Sequence, residues 1–273
     1  MKRVVLVAVA TGALAACGGD SAPNLRSFNY GAPQQPTLDQ QATAETAEFS
    51  FSSIAGAPTQ GAQNAVSATS MTDTLAGGLS AAILAGPTET LTRETQASAQ
   101  AAREGTLRMI RSSALQVDPN CTVITSTSVT YNNCSYNADG FAGSLSGHLT
   151  LSGGSITWDI KTTFSGNTQG VSFDGNLAWN GQITVTDTTI KGFGRSALVL
   201  HASGNGQSAK LGRAAGTDFD LTYSSNPFCV TGGTLEVRVV QEASGSGGGG
   251  ESMAAGLKFT WNGCGNVTVA IGT

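Results

Sequence analysis

The stretch Ile156-Thr-Trp-Asp-Ile-Lys161 sets the pattern for the second half of this 273-residue chain. Ile156, Trp158 and Ile160 are apolar, and the residues between them are polar. Because successive side chains of a β-strand point to opposite faces, this stretch would bury one face and leave the other in water. It predicts a strand of an antiparallel sheet with one wet face.

The same alternation recurs from Cys121 to the end of the sequence, and it predicts about ten strands at a spacing of roughly 8–12 residues. The apolar positions in the clearest later runs are Val171, Phe173, Leu177 and Trp179, then Leu235, Val237 and Val239, then Leu257, Phe259 and Trp261, and finally Val267, Val269 and Ile271. Turn-forming pairs separate the runs. Among them Asn180-Gly181 is the strongest hairpin signal, because this dipeptide suits a type I′ turn.

The predicted fold class is α+β. An antiparallel, largely meandering sheet of about ten strands would occupy residues 119–273, with an N-terminal helix covering its apolar face. The cover is expected because an apolar face and unpaired edges are both costly in water. A two-sheet β-sandwich with the helix at one end is the alternative.

The helix is expected within residues 37–118, which are rich in Ala, Thr and Gln. Good helix formers run from Thr88 to Leu115, and Pro119 forbids continuation. Leu91, Leu107 and Ile110 broadly share one face, which makes a narrow apolar stripe suited to packing on a sheet. A weaker helix is predicted from Thr72 to Leu84.

Residues 1–16 have the layout of a secretory signal peptide: a basic head, about ten apolar residues and then small residues. The apolar run is too short to span ~30 Å of hydrocarbon as a helix. Leu14-Ala15-Ala16-Cys17 resembles the lipobox of bacterial lipoproteins. The resemblance implies cleavage before Cys17 and acylation of that cysteine, and Gly18 in place of Asp implies passage to the outer membrane. An ordinary secretory signal is the alternative.

Residues 17–36 are rich in Gly, Ser, Pro, Asn and Gln, which predicts a flexible tether between a lipid anchor and the folded part. The domain could then face either the periplasm or the cell surface. With Cys17 assigned to lipid, four cysteines remain in an exported chain, which favours disulfides. We expect Cys121 to pair with Cys134 and Cys229 with Cys264, because each pair flanks a hairpin or turn.

Composition argues against several functions. The net charge is −4, only 12% of residues are charged and no basic cluster occurs, so nucleic acid is not an expected partner. The two histidines lack neighbours at metal-ligand spacing, and no Cys-x-x-Cys pair is present. Asp218 and Asp220 share one face of a strand, where solvated carboxylates are the ordinary outcome. No cofactor, metal or catalytic residue is predicted.

These features predict two possible functions. The first is a non-enzymatic outer-membrane lipoprotein, held by its lipid, with a structural, adhesive or assembly role through contacts with another envelope protein. The alternative is a carrier that binds an apolar ligand or lipid between a curved sheet and the helix. The candidate ligand-binding residues of such a carrier are its large aromatics: Trp158, Phe164, Phe173 and Trp179.

Overall fold

The computed structural model of the protein describes residues 21–60, 120–138, 141–168, 171–204, 207–245 and 251–272. Its elements are α1 (Leu38–Gln60), β1 (Thr122–Ile124), β2 (Ser128–Ala138), β3 (Phe141–Ser152), β4 (Ser155–Thr168), β5 (Val171–Val185), β6 (Thr189–Gly204), β7 (Gln207–Ser225), β8 (Phe228–Gly245), β9 (Glu251–Trp261) and β10 (Val267–Gly272).

The ten strands form a single antiparallel sheet whose order follows the chain from β1 to β10. The predicted antiparallel meander is therefore confirmed, and the described strands lie in one sheet instead of the two that a sandwich requires. Since consecutive strands run in opposite directions, their connections alternate between two ends of the sheet. The connections β2–β3, β4–β5, β6–β7 and β8–β9 lie at end A, and the other connections from β3 to β10 lie at end B.

The hairpin predicted at Asn180-Gly181 is wrong. β5 runs through both residues from Val171 to Val185, and Gly181 pairs with Trp158 across the sheet. The indole of Trp158 occupies the space above Gly181, where a Cβ would collide with it. A turn here would interrupt the pairing with both neighbouring strands, so long-range register overrides the local preference of the dipeptide.

Helix α1 begins at a capping box. Thr37 Oγ1 accepts a hydrogen bond from the Gln40 amide at 3.4 Å, and the Gln40 side chain accepts one from the Thr37 amide at 2.9 Å. Two amides that no helical carbonyl could satisfy are thereby paired. The helices predicted over Thr72–Leu84 and Thr88–Leu115 lie outside the described residues.

Apolar side chains from β2 to β10 form one buried cluster with α1. Phe51 of α1 is fully buried, and its ring centroid lies 5.2 Å from that of Phe219. Trp261 Nε1 donates to Glu48 Oε1 at 2.5 Å, so the helix is also tied to β9 by a polar contact. In the described part of the chain, no helix has the length and apolarity needed to cross a membrane.

Both predicted disulfide pairings are confirmed. Cys121 and Cys134 have Cα atoms 5.1 Å apart, and those of Cys229 and Cys264 are 5.5 Å apart. The first bond ties the residue before β1 to β2, and the second ties the start of β8 to the β9–β10 turn at end B. On the chain-entropy model these closures are worth about 3 and about 4 kcal/mol.

Candidate functional site

A segment that begins four residues after the predicted lipid anchor lies on the polar face of the sheet. Residues 21–36, here called the N-terminal segment, were predicted as a tether. Pro23 lies beside Gly212 on β7, and Leu25 lies beside Gly216 on the same strand. The segment is therefore docked over much of its described length.

Two aromatic residues continue this contact across β9 and β10. A Cβ on Gly256 would lie 2.8 Å from the hydroxyl oxygen of Tyr30 and 3.1 Å from the ring of Phe28. On Gly272 it would lie 2.7 Å from Phe28 Cβ and 2.8 Å from the Tyr30 ring. The missing side chains at these glycines make room for the two rings, so the glycines form the floor of a groove that the segment fills.

Apolar residues on this face accompany the glycine floor. Four are at most 6% exposed although they lie outside the main apolar cluster: Val199, Ala214, Val240 and Ala270. Val199 is opposite Gly212, and Val240 is opposite Ala214. Their positions interrupt strict alternation, since Leu198-Val-Leu200 and Val239-Val240 are consecutive apolar runs. Such runs mark strands buried on both faces, and this was the signal in the sequence for a covered outer face.

The same segment then joins the free edge of β10. The Gly31 amide donates to the Ile271 carbonyl at 3.1 Å, and Gln34 and Val269 exchange two backbone hydrogen bonds of 2.9 Å. An edge strand presents unpaired amides and carbonyls, and these bonds satisfy part of that edge. The chain thus passes from the polar face, around β10, to α1 on the apolar face.

Charged side chains lie next to the docked segment. Asp218 on β7 accepts bonds from two guanidinium groups, those of Arg195 (2.5 Å) and Arg238. Arg238 also lies 3.3 Å from Glu236, measured from Nε to Oε1. The side chain of Arg238 is 16% exposed and that of Asp218 is 37% exposed. We call these four residues the ionic cluster.

Tyr30 connects the N-terminal segment to the ionic cluster. Its hydroxyl donates to Glu236 Oε1 at 2.7 Å, and Arg238 Nη1 donates to the Arg26 carbonyl at 3.5 Å. Burial, followed by the hydrogen bond to Glu236, raises the pKa of Tyr30 well above its usual value. The neutral phenol is therefore the form that fits the docked segment.

The polar face of β3–β5 is built differently. Hydroxyl pairs connect adjacent strands there: Ser144 with Thr163 at 2.9 Å, Thr150 with Thr157 at 2.5 Å, and Ser155 with Thr184 at 2.9 Å. We call this the hydroxyl region. Neutral cross-strand pairs of this kind each contribute roughly 0.2–1 kcal/mol.

The four aromatics predicted to bind a ligand are core residues. Trp158, Phe164, Phe173 and Trp179 are 3–5% exposed and belong to the main apolar cluster. Trp158 lies over Gly181, and Phe164 lies over Gly175, its cross-strand partner. Aromatic rings placed over strand glycines in this way replace the packing that the glycines lack.

The two predicted solvated carboxylates differ. Asp220 is 64% exposed and makes a surface ion pair of 3.0 Å with Lys191, as its exposure leads one to expect. Asp218, two residues earlier, is bonded to two arginines, a pairing not predicted from the sequence. The alternation of side chains along a strand predicts that Asp218 and Asp220 share one face. The pairing of Asp218 with the arginines depends on a strand register that no local motif specifies.

End A carries an open depression of about 370 Å³. Asp174, His201, Lys210 and Ser244 occupy one row of register partners across β5 to β8 and line it together with neighbouring serines. Cys17 lies outside the described residues. Among the residues described, no group of three or more His, Cys, Asp or Glu side chains is arranged to hold a metal ion.

Comparison with protein families, curated proteins and solved structures finds no match to this chain. The features of the chain that bear on its function are the lipobox-like sequence, the docked N-terminal segment and the two regions of the polar face.

Proposed function

We propose that the chain is a non-enzymatic lipoprotein of the outer membrane, anchored through Cys17, with a structural, adhesive or assembly role through contacts with another envelope protein. The observation that carries the proposal is the docked N-terminal segment. Pro23, six residues after Cys17, already contacts β7, so an acyl chain on Cys17 would hold a rigid sheet close to the bilayer. That arrangement suits a protein that presents a fixed surface.

We further infer that helical residues of the 37–118 segment cover the apolar face of the sheet. Phe51 and Ile54 of α1 are at most 3% exposed and belong to the cluster that the strands form. A covered apolar face favours the contact role over a carrier role, because Trp158, Phe164, Phe173 and Trp179 then have packing partners. The carrier remains the second candidate, and saturable binding of a fluorescent fatty acid by the purified protein would support it.

Replacement of Cys17 tests the anchor. The Cys17→Ser protein should appear in the soluble fraction, folded and with both disulfides, while the parent protein fractionates with membranes and incorporates labelled palmitate. Persistence of the variant in the membrane fraction would contradict acylation at Cys17. Gly18→Asp is the matched control: it keeps the cysteine, and the family resemblance implies that it should be acylated but retained at the inner membrane.

The contact role is tested by native pull-down of the membrane-anchored protein with lipid analysis of the eluate. Recovery of a stoichiometric envelope protein without bound lipid is the expected result. Co-purification of a stoichiometric lipid that the four core aromatics contact would favour the carrier instead.

A further inference from the structure

We propose that end A of the sheet faces the membrane and lies at the lipid headgroup layer, while end B points away from it. This orientation rests on the proposed acylation of Cys17. It follows from where the N-terminal segment is docked and from the short length of chain that connects it to Cys17.

The segment has a direction on the sheet. Read backwards from Tyr30, it crosses from β10 and β9 to Leu25 at Gly216 and then to Pro23 at Gly212. From Gly216 to Gly212 the segment follows β7 toward its first residue, Gln207, which is at end A. From Leu25 back to Pro23, the described segment therefore runs toward end A.

Lengths decide which end Cys17 can reach. Cys17 lies six positions before Pro23 in the sequence, and these six Cα–Cα steps span at most about 21 Å when fully extended. Along β7, end A at Gln207 is five residues from Gly212, or about 17 Å, whereas end B at Ser225 is thirteen residues away, or about 43 Å. A lipid on Cys17 can therefore extend past end A but covers only about half of the distance to end B.

The two ends also differ in what they present. At end A, the open depression is lined by serines, Asp174, His201 and Lys210, which offer hydrogen-bonding and charged groups of both signs to a headgroup layer. End B carries the Gly153-Gly154 turn, the Asn226-Pro227 turn and the Cys229–Cys264 disulfide. End B is then the part of the domain that is free to meet a partner.

Depth-dependent quenching on vesicles tests this orientation. The mature chain, with both disulfides formed, is coupled through Cys17 to a maleimide lipid in phosphatidylethanolamine–phosphatidylglycerol vesicles that contain a headgroup-spin-labelled lipid. A fluorescent noncanonical amino acid is placed either at Ser203 or at Thr188, the exposed residues near the two ends of β6. We expect several-fold stronger quenching at position 203. Equal quenching, which a sheet lying flat on the bilayer would give, or stronger quenching at position 188 would overturn the proposal.

A variant with an undocked segment supplies the control. In Phe28→Ala/Tyr30→Ala the docking rings are lost, and the twenty residues from Cys17 to Pro36 become a tether of up to about 65 Å. The difference between positions 203 and 188 should then largely disappear. If it persists unchanged, the docked segment does not set the orientation. Because the lipid is attached chemically, these outcomes are independent of cellular acylation, which the fractionation of Cys17→Ser tests separately.

Discussion

The polar face of the sheet is stabilised in different ways in its two regions. In the hydroxyl region of β3–β5, neighbouring strands are connected by neutral Ser and Thr pairs that face solvent. Across β6–β10, a glycine floor, buried alanines and valines and an ionic cluster lie against the N-terminal segment. The first region needs only strand pairing, whereas the second needs a segment that is about 200 residues away in sequence, as the separation of 206 between Tyr30 and Glu236 illustrates.

This difference is confined to the polar face. A large-to-small substitution on the apolar face should therefore have a similar effect on stability beneath both regions. Phe164 under the hydroxyl region and Phe259 under the docked segment are 3% and 0% exposed. Replacing either with Ala should lower the free energy of unfolding by about 3–5 kcal/mol, measured by denaturant titration. A loss below about 1 kcal/mol at Phe164, with fatty-acid binding retained or enhanced, would indicate a ligand pocket there.

Substitutions at Asp218 and Asp220 compare a carboxylate of the ionic cluster with an exposed carboxylate on the same strand face. Asp218→Asn removes the charge that two partly buried guanidinium groups share, and we expect a loss of about 1.5–3 kcal/mol of stability. Asp220→Asn breaks one exposed ion pair and should cost about 0–1 kcal/mol. Thermal or denaturant unfolding of the two variants measures the difference, and equal losses would mean that the ionic cluster contributes no more than a surface pair.

Gly256→Val tests the groove. Its side chain would occupy the space of the Phe28 and Tyr30 rings, and the segment should lift off, with a stability loss of about 1 kcal/mol, the low end for overpacking. Limited proteolysis should cut within residues 21–36 much faster than in the parent protein. Thr163→Val, an exposed change in the hydroxyl region, is the control and should leave this cleavage rate unchanged. Equal protection in Gly256→Val would contradict the docking.

The smallest effect is a pH dependence centred on Tyr30. Because its pKa is raised in the folded protein, its contribution to stability is complete below the unfolded pKa of about 10 and is lost as the pH rises above that value. The parent protein should therefore lose more stability between about pH 10 and pH 12 than Tyr30→Phe, which has no ionisable hydroxyl. Parallel curves for the two proteins would show that the phenol is not held by the fold.

Local patterns in the sequence encode part of the fold. Alternating apolar residues predicted the antiparallel meander, and cysteine positions flanking turns predicted both disulfides. The capping box at Thr37 and Gln40 is a local helix signal that marks the start of α1. At Asn180-Gly181 the local signal was misleading, because the glycine there accommodates the ring of Trp158 from the neighbouring strand.

The groove could not be derived in the same way. Gly212, Gly216, Gly256 and Gly272 come together only through the registers of β7–β10. The segment that fills the groove has the composition of a linker, apart from a few apolar residues such as Phe28 and Tyr30. Composition reports the average solubility of such a segment, whereas docking depends on a small number of rings that meet a complementary surface elsewhere.

Amide hydrogen exchange at Gly31 and Gln34 tests the docking of the N-terminal segment most directly. Both amides donate to carbonyls of β10, so the account predicts that they exchange far more slowly than in an unstructured peptide. Gly256→Val should abolish this protection while amides in β4 and β5 keep theirs. Exchange of Gly31 and Gln34 at the rate of a free chain in the parent protein, with the sheet amides protected, would contradict the account.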